Sequence, residues 1–190
     1  GDIIARSGTS ENILVVGGGP GGMEAARMLA QKGHRVSLWE RDSDLGGTAR
    51  VAGLAYEPNE RLVHHLAGEV RRLPIDLQMG RSATAAGILA ERPDRVILAT
   101  GAVRTAPDIP GKNQRHVFDG DQLRGVLFGG NREAAAKLNP LVRLMLSVGR
   151  SLQLLRNIGL MRKLSRLWMP IADQVVIIGG GLVGLELAEY

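Results

Sequence analysis

Residues 12–40 read NILVVGGGPGGMEAARMLAQKGHRVSLWE, and the order of residue types in that stretch decides the architecture. NILVV is a short apolar run, the pattern of a parallel strand buried on both faces. GGGPGG then breaks it. MEAARMLAQKG follows with Met23, Ala26, Leu29 and Ala30 at helical spacing, and Gly33 supplies a C-terminal stop. HRVSLWE reads as a second strand. Strand, helix and strand in this order make a β–α–β unit, whose crossover is right-handed.

The loop carries the G-x-G-x-x-G spacing as Gly17, Gly19 and Gly22. The first glycine permits the tight turn out of the strand, and the second lets a pyrophosphate approach the backbone. The third allows close helix–strand packing, which aims backbone N–H groups and the helix dipole at an anion. Alone this spacing is a weak signal. Here it lies between a strand and a helix, and Glu40 closes the second strand, where a carboxylate can accept both hydroxyls of an adenosine ribose. The expectation is an ADP-containing dinucleotide, with Gly17, Gly18, Gly19, Pro20, Gly21 and Gly22 around the diphosphate and Glu40 on the ribose. The bland alternative is a glycine-rich turn in an ordinary α/β protein, with Glu40 a solvated strand end. The motif by itself does not separate FAD from NAD.

Further along, PNERLVHHLAGEVRRL sets Leu62, Val63, Leu66, Val70 and Leu73 on one helical face, and Pro74 stops it. IDLQMG reads as a third strand, SATAAGIL as a short crossover, and Val96 to Ala99 as a strand ending in a Thr100–Gly101 turn. Pro107, Pro110 and Gly111 mark an extended exit. The organisation expected is a linker over 1–11 and an α/β, Rossmann-like doubly wound parallel-sheet domain over 12–127. A basic amphipathic helical insert follows over 128–170. Residues 171–190 form the opening strand–loop–helix of a second Rossmann unit, with Gly179, Gly181 and Gly184 as its glycines.

In the insert, Leu141, Leu144, Met145, Val148, Leu152 and Leu155 share a face opposed by Arg143, Ser147 and Arg150. From Ile158 to Trp168, Leu160, Met161, Leu164, Leu167 and Trp168 oppose Arg162, Lys163 and Arg166. The chain's net charge is +5, yet no acidic residue occurs between Leu141 and Pro170, so the basic character is local. With aromatics at only 3%, no base-stacking nucleic-acid platform is expected. The apolar stripes are read as surfaces for a missing domain or a second subunit, in preference to an anionic lipid surface or a cover on the chain's own core.

Cysteine is absent, which removes disulfides, thiolate nucleophiles and thiolate-held metal from this chain and fits a reducing compartment such as the cytoplasm. His64 and His65 are adjacent, without the i, i+4 spacing of helical metal ligands, so no metal site is expected. Glu24 is read as an ordinary helix-start carboxylate. For Arg41, just past the ribose acid, contact with the nucleotide and solvated surface stand even.

Three segments carry a family resemblance. VVGGGPGGMEAARMLAQKGHRVSLWERDSDLGG (residues 15–47) resembles the FAD-binding start of two-dinucleotide flavoproteins. VILATGA (96–102) is similar to that family's second signature, whose Ala-Thr-Gly turn passes close to the flavin nucleotide. GGGLVGLELAEY (179–190) resembles its NAD(P)H-binding motif, which implies Glu186 near the nicotinamide, while an ordinary helix-start carboxylate is an equal reading of that residue. The resemblance implies that Gly47, Thr48, Ala83, Ala99, Thr100 and Gly101 line the FAD site. Where disulfide reductases of the superfamily carry a redox-active cysteine pair after LGGT, this chain has Ala49 and Leu54. The stretch is instead similar to the C-terminal half of NADH:flavin oxidoreductases related to 2,4-dienoyl-CoA reductase and to trimethylamine and histamine dehydrogenases. That resemblance implies FAD here, NAD(P)H at an incomplete second site, and an N-terminal FMN barrel with a 4Fe–4S cluster in a longer parent. Catalysis then belongs to the cofactors, with no proton-transferring residue in this chain. Thr48 departs from the glutamine usual in the dienoyl-CoA reductase branch, so substrate class is not carried over. Trimethylamine dehydrogenase holds ADP in the equivalent domain, and a non-redox nucleotide-binding module is the alternative expectation. As a segment of such a parent, the chain alone is expected to bind FAD weakly and to turn over no NADH.

Overall fold

The apolar runs of the first hundred residues become four strands, β1 (Asn12–Val16), β2 (Arg35–Glu40), β3 (Ile75–Met79) and β4 (Arg95–Leu98). All three pairings are parallel, and the order across the sheet is β3-β2-β1-β4. The computed structural model describes residues 8–102, 107–128, 132–151, 157–167 and 174–181, with Gly184 and Ala188. Contacts divide the chain into two compact units, Gly1–Ala102 and Val103–Tyr190.

Period-two alternation sends successive side chains of each strand to opposite faces. On one face Val15, Val36 and Leu38 are buried with Met23 and Ala26 of α1 (Pro20–Gln31) and with Leu66, Ala67 and Val70 of α3 (Glu57–Arg72). On the other, Leu14, Val16 and Trp39 pack against Ala83 and against Ile88 of α4 (Ala85–Glu91). Helices thus lie on both faces of a parallel sheet, which is the doubly wound arrangement. The sequence reading did not foresee α2 (Gly47–Ala52), a short helix after the LGG turn.

The helix ends follow local chemistry. Pro20 begins α1, a position where its missing N–H costs nothing. At the other end Gly33 takes φ +92, its N–H donates to the Ala30 carbonyl, and the His34 N–H reaches back to Leu29. Thr84 caps α4 by accepting the Gly87 N–H at 3.1 Å. The far end of α4 is tied to β3 by Arg81, which pairs with Glu91 at 2.8 Å and lies 3.4 Å from the Trp39 ring centroid.

Glu24 is structural, but through an ion pair with Arg27 and not as a helix-start carboxylate, since the first turn of α1 holds no acidic residue. Arg27 donates to both of its oxygens, at 2.8 and 2.7 Å. That hydrogen bond is the main cause holding the Glu24 carboxyl below its usual range, against a smaller opposing effect of burial. At the opposite end of the sheet from the glycine loop, the Arg95 guanidinium binds both oxygens of Glu11, at 2.8 and 3.0 Å, and lowers that carboxyl in the same way.

The second unit begins its helices earlier than position 128. It contains α5 (Gly120–Phe128), α6 (Arg132–Ala136), α7 (Pro140–Ser151) and α8 (Ile158–Leu167). Val126, Ala134 and Leu138 form a small core, with Phe118, Val142 and Leu146 packed against it. α7 therefore uses Val142 and Leu146 inward, while Leu141, Leu144, Met145 and Val148 are exposed. Residues 152–156 and Trp168, also assigned to the stripes, lie outside the described residues. The run at Gln174–Ile178 is not paired into a sheet among the described residues, and Val175, Val176 and Ile178 are exposed. A strand exists only through a partner, and none is described beside this run. No described helix is long and apolar enough to cross a membrane.

Candidate dinucleotide site

Parallel register brings the C-terminal ends of three strands level. Val16 of β1 pairs with Trp39 of β2 on one side and with Leu98 of β4 on the other. The chain therefore leaves β1, β2 and β4 together, as Gly17, Arg41 and Ala99, at the point where strand order reverses. In open parallel sheets that crevice is where ligands bind.

Each loop glycine has its own reason. Gly17 has φ +112, and its N–H extends the ladder to the Trp39 carbonyl at 2.8 Å. A Cβ there would collide with the backbone of Ala99, and one on Gly22 would collide with the carbonyl of Gly17. A side chain on Gly18 would meet Leu45 Cδ2 at 2.6 Å and Glu40 Oε2 at 2.9 Å. These three are glycine because protein packs against them. Gly19 and Gly21 differ, since nothing lies within 4 Å of a Cβ at either position. Gly19 is the N-cap of α1 and Gly21 lies in its first turn, which no side chain caps. Uncapped backbone N–H groups at a helix start are the kind of group that accepts an anion.

Glu40 is buried, 7% exposed, so it is no solvated strand end. Its Oε2 accepts the Gly18 N–H at 2.6 Å and its Oε1 the Asp42 N–H at 2.8 Å. The LGG turn closes on the same loop. Gly46 donates to the Gly18 carbonyl at 2.8 Å, and Gly47, at φ +51, lies so close that its Cβ would sit 3.3 Å from Gly19 Cα. Ala99 donates to the Val16 carbonyl at 2.8 Å, which carries the β1–β4 ladder to the base of the loop.

Thr48, Thr100 and Gly101 are exposed beyond these turns, with Gly101 at φ +76. Arg41 is exposed and 4.0 Å from Asp42, turned to solvent rather than into the loop. Ala83 packs under Trp39 and is part of the core on that face. Leu45 and Gly46 were missed by sequence reasoning, although both sit inside the quoted LGG segment. Their role depends on a contact with Gly18 that no spacing rule encodes.

The second glycine loop repeats the first. Gly179 takes φ +126, and a Cβ on Gly184 would strike the Gly179 carbonyl, just as Gly22 meets Gly17. Gly181 has open space, as Gly19 does. Glu186 lies outside the described residues.

Residues 11–190 match the family described as pyridine nucleotide-disulphide oxidoreductase. The chain belongs to that family. It is 35% identical over 188 residues to bilirubin reductase of Mediterraneibacter gnavus, covering 98% of this chain and 23% of that protein. Among solved structures, a 2-naphthoyl-CoA reductase complex superposes with a TM-score of 0.61 at 30% identity, over 70% of this chain and 22% of that one. Histamine dehydrogenase from Rhizobium sp. 4-9 gives a TM-score of 0.53 at 27% identity, over 57% of this chain and 16% of that one. The chain thus spans less than a quarter of the length of these relatives. Within the pyridine nucleotide-disulphide oxidoreductase family it is similar to the flavoprotein group of histamine dehydrogenase, as the LGGT segment without cysteines indicated. With no cysteine in its sequence, this chain supplies no thiol for disulfide chemistry.

Proposed function

We propose that the first unit binds FAD through its ADP half, and that the chain is the nucleotide-binding portion of a longer oxidoreductase. In that reading NAD(P)H occupies the second glycine loop as reductant. A further flavin and a 4Fe–4S cluster outside residues 1–190 are the electron acceptors. The observation that carries the reading is the open cradle at Gly19 and Gly21 beside the buried Glu40. Backbone N–H groups at the start of α1 meet the diphosphate, and the remaining lone pairs of the Glu40 carboxylate accept the ribose hydroxyls. A 2′-phosphate on that ribose would place negative charge against Glu40, which disfavours it. FAD supplies hydride acceptance and electron storage, while the residues of this chain bind and orient it.

The test is the identity of the ligand that copurifies with the chain. Heat release is expected to give a yellow supernatant absorbing near ~450 nm, the signature of oxidised flavin as the redox cofactor. A colourless supernatant containing ADP would replace the electron-transfer reading by a structural nucleotide module.

A further inference from the structure

We infer that Glu40 is the clasp that holds the nucleotide loops in their receptive geometry before any ligand arrives, in addition to meeting the ribose. The inference rests on the nucleotide reading above and deepens it. Both carboxylate oxygens are engaged by the protein's own backbone: Oε2 by the Gly18 N–H at 2.6 Å, and Oε1 by the Asp42 N–H at 2.8 Å. Through Gly18 the carboxylate holds the glycine loop, whose carbonyl is in turn held by Gly46 at 2.8 Å. Through Asp42 it holds the segment leading to Leu45, which lies against Gly18. The backbone carbonyl of Glu40 accepts the Arg81 N–H at 2.8 Å, so the end of β3 is fixed to the same residue. Three segments therefore converge on Glu40, two of them on its buried carboxylate and one on its backbone carbonyl.

The chemistry of the group explains why glutamate, rather than glutamine, suits this position. Both inward partners are N–H donors, and a carboxylate presents two acceptor oxygens. A glutamine presents one oxygen and one NH2 group, so one backbone N–H would face another donor. Each carboxylate oxygen keeps a second lone pair, which lets a vicinal diol bind without displacing either backbone contact. Glu40 is thus a positioning residue for the diphosphate cradle, acting through Gly18, as well as a ligand of the sugar.

The experiment separates the two roles. Amide hydrogen exchange is measured on the nucleotide-free full chain, wild type and Glu40→Gln, and affinity is measured for ADP and for 2′,3′-dideoxy-ADP. In the wild type, the Gly18 and Asp42 amides are expected to be protected without nucleotide. Glu40→Gln is expected to speed their exchange by roughly tenfold or more, as loss of a hydrogen bond to a charged group does. It is also expected to weaken dideoxy-ADP by about tenfold, although that ligand has no hydroxyl for Glu40 to bind. If Glu40→Gln leaves dideoxy-ADP affinity unchanged and only removes the preference for ADP, the residue is a sugar ligand alone and the clasp is wrong. Wild-type exchange of Gly18 at its unstructured rate overturns the clasp without any variant. Failure of the wild type to bind either nucleotide, with Gly18 still protected, counts against the nucleotide reading and not against the clasp.

Discussion

Gly22→Ala is expected to disrupt the fold of the first unit, whereas Gly19→Ala is expected to leave the fold intact and weaken nucleotide binding. The two glycines share one motif but differ in what surrounds them. A methyl group on Gly22 would occupy the place of the Gly17 carbonyl. The obstacle is backbone that already carries the ladder bond to Trp39, so it cannot yield as a side chain would. The cost should reach or exceed the roughly 1–3 kcal/mol usual for overpacking. Gly19 has φ −72 and ψ 177, a conformation open to any residue, and its Cβ would enter empty space. The change at this helix start should alter stability by no more than about 1 kcal/mol. The methyl would nevertheless stand where the diphosphate has to approach. Each charged hydrogen bond lost is worth about 1.5–3 kcal/mol, roughly a ten- to hundredfold loss of affinity. Urea unfolding combined with ADP titration checks both. Loss of stability in Gly19→Ala with binding retained would reverse the assignment.

Leu38→Ala is expected to carry the largest cost among conservative core changes. Leu38 is fully buried in β2, between β1 and β3, and belongs to the cluster that joins the sheet to α1 and α3. Removing three carbons there should cost about 2–5 kcal/mol, a large part of the roughly 5–15 kcal/mol that holds a typical domain together. The damage lies in the core beneath the site and leaves the glycine loop and Glu40 themselves unchanged, so nucleotide should compensate by mass action. At about 100 times its Kd a ligand returns about 2.7 kcal/mol. Thermal unfolding of Leu38→Ala with and without ADP should show an upward shift like that of the wild type. Gly19→Ala should show a smaller one.

Much of the first unit was legible because its signals are local. The uninterrupted run at Ile13–Val16, the glycine loop and the alternation around Leu38 each require one structure, and the parallel sheet follows from them. The glycine spacing also anticipated the echo between Gly22 and Gly184. What escaped was set by contacts between segments. The helix α2 follows a turn with no periodic apolar pattern. Leu45 and Gly46 gain their role only when the loop after β2 folds onto Gly18. Glu40 read as a ribose acid, but its two backbone donors are a product of tertiary approach. In the second unit the amphipathic pattern correctly marked α7 and α8. The pattern assigned one apolar face to α7, where the structure separates inward Val142 and Leu146 from exposed Leu141, Leu144, Met145 and Val148.

A crystal structure of the chain grown with FAD tests the diphosphate cradle most directly. The diphosphate is predicted on the backbone N–H groups that open α1, over Gly19 and Gly21, with Glu40 within hydrogen-bond distance of both ribose hydroxyls while still holding Gly18. Nucleotide bound away from that loop, or a Glu40 carboxylate turned from the sugar, would contradict it.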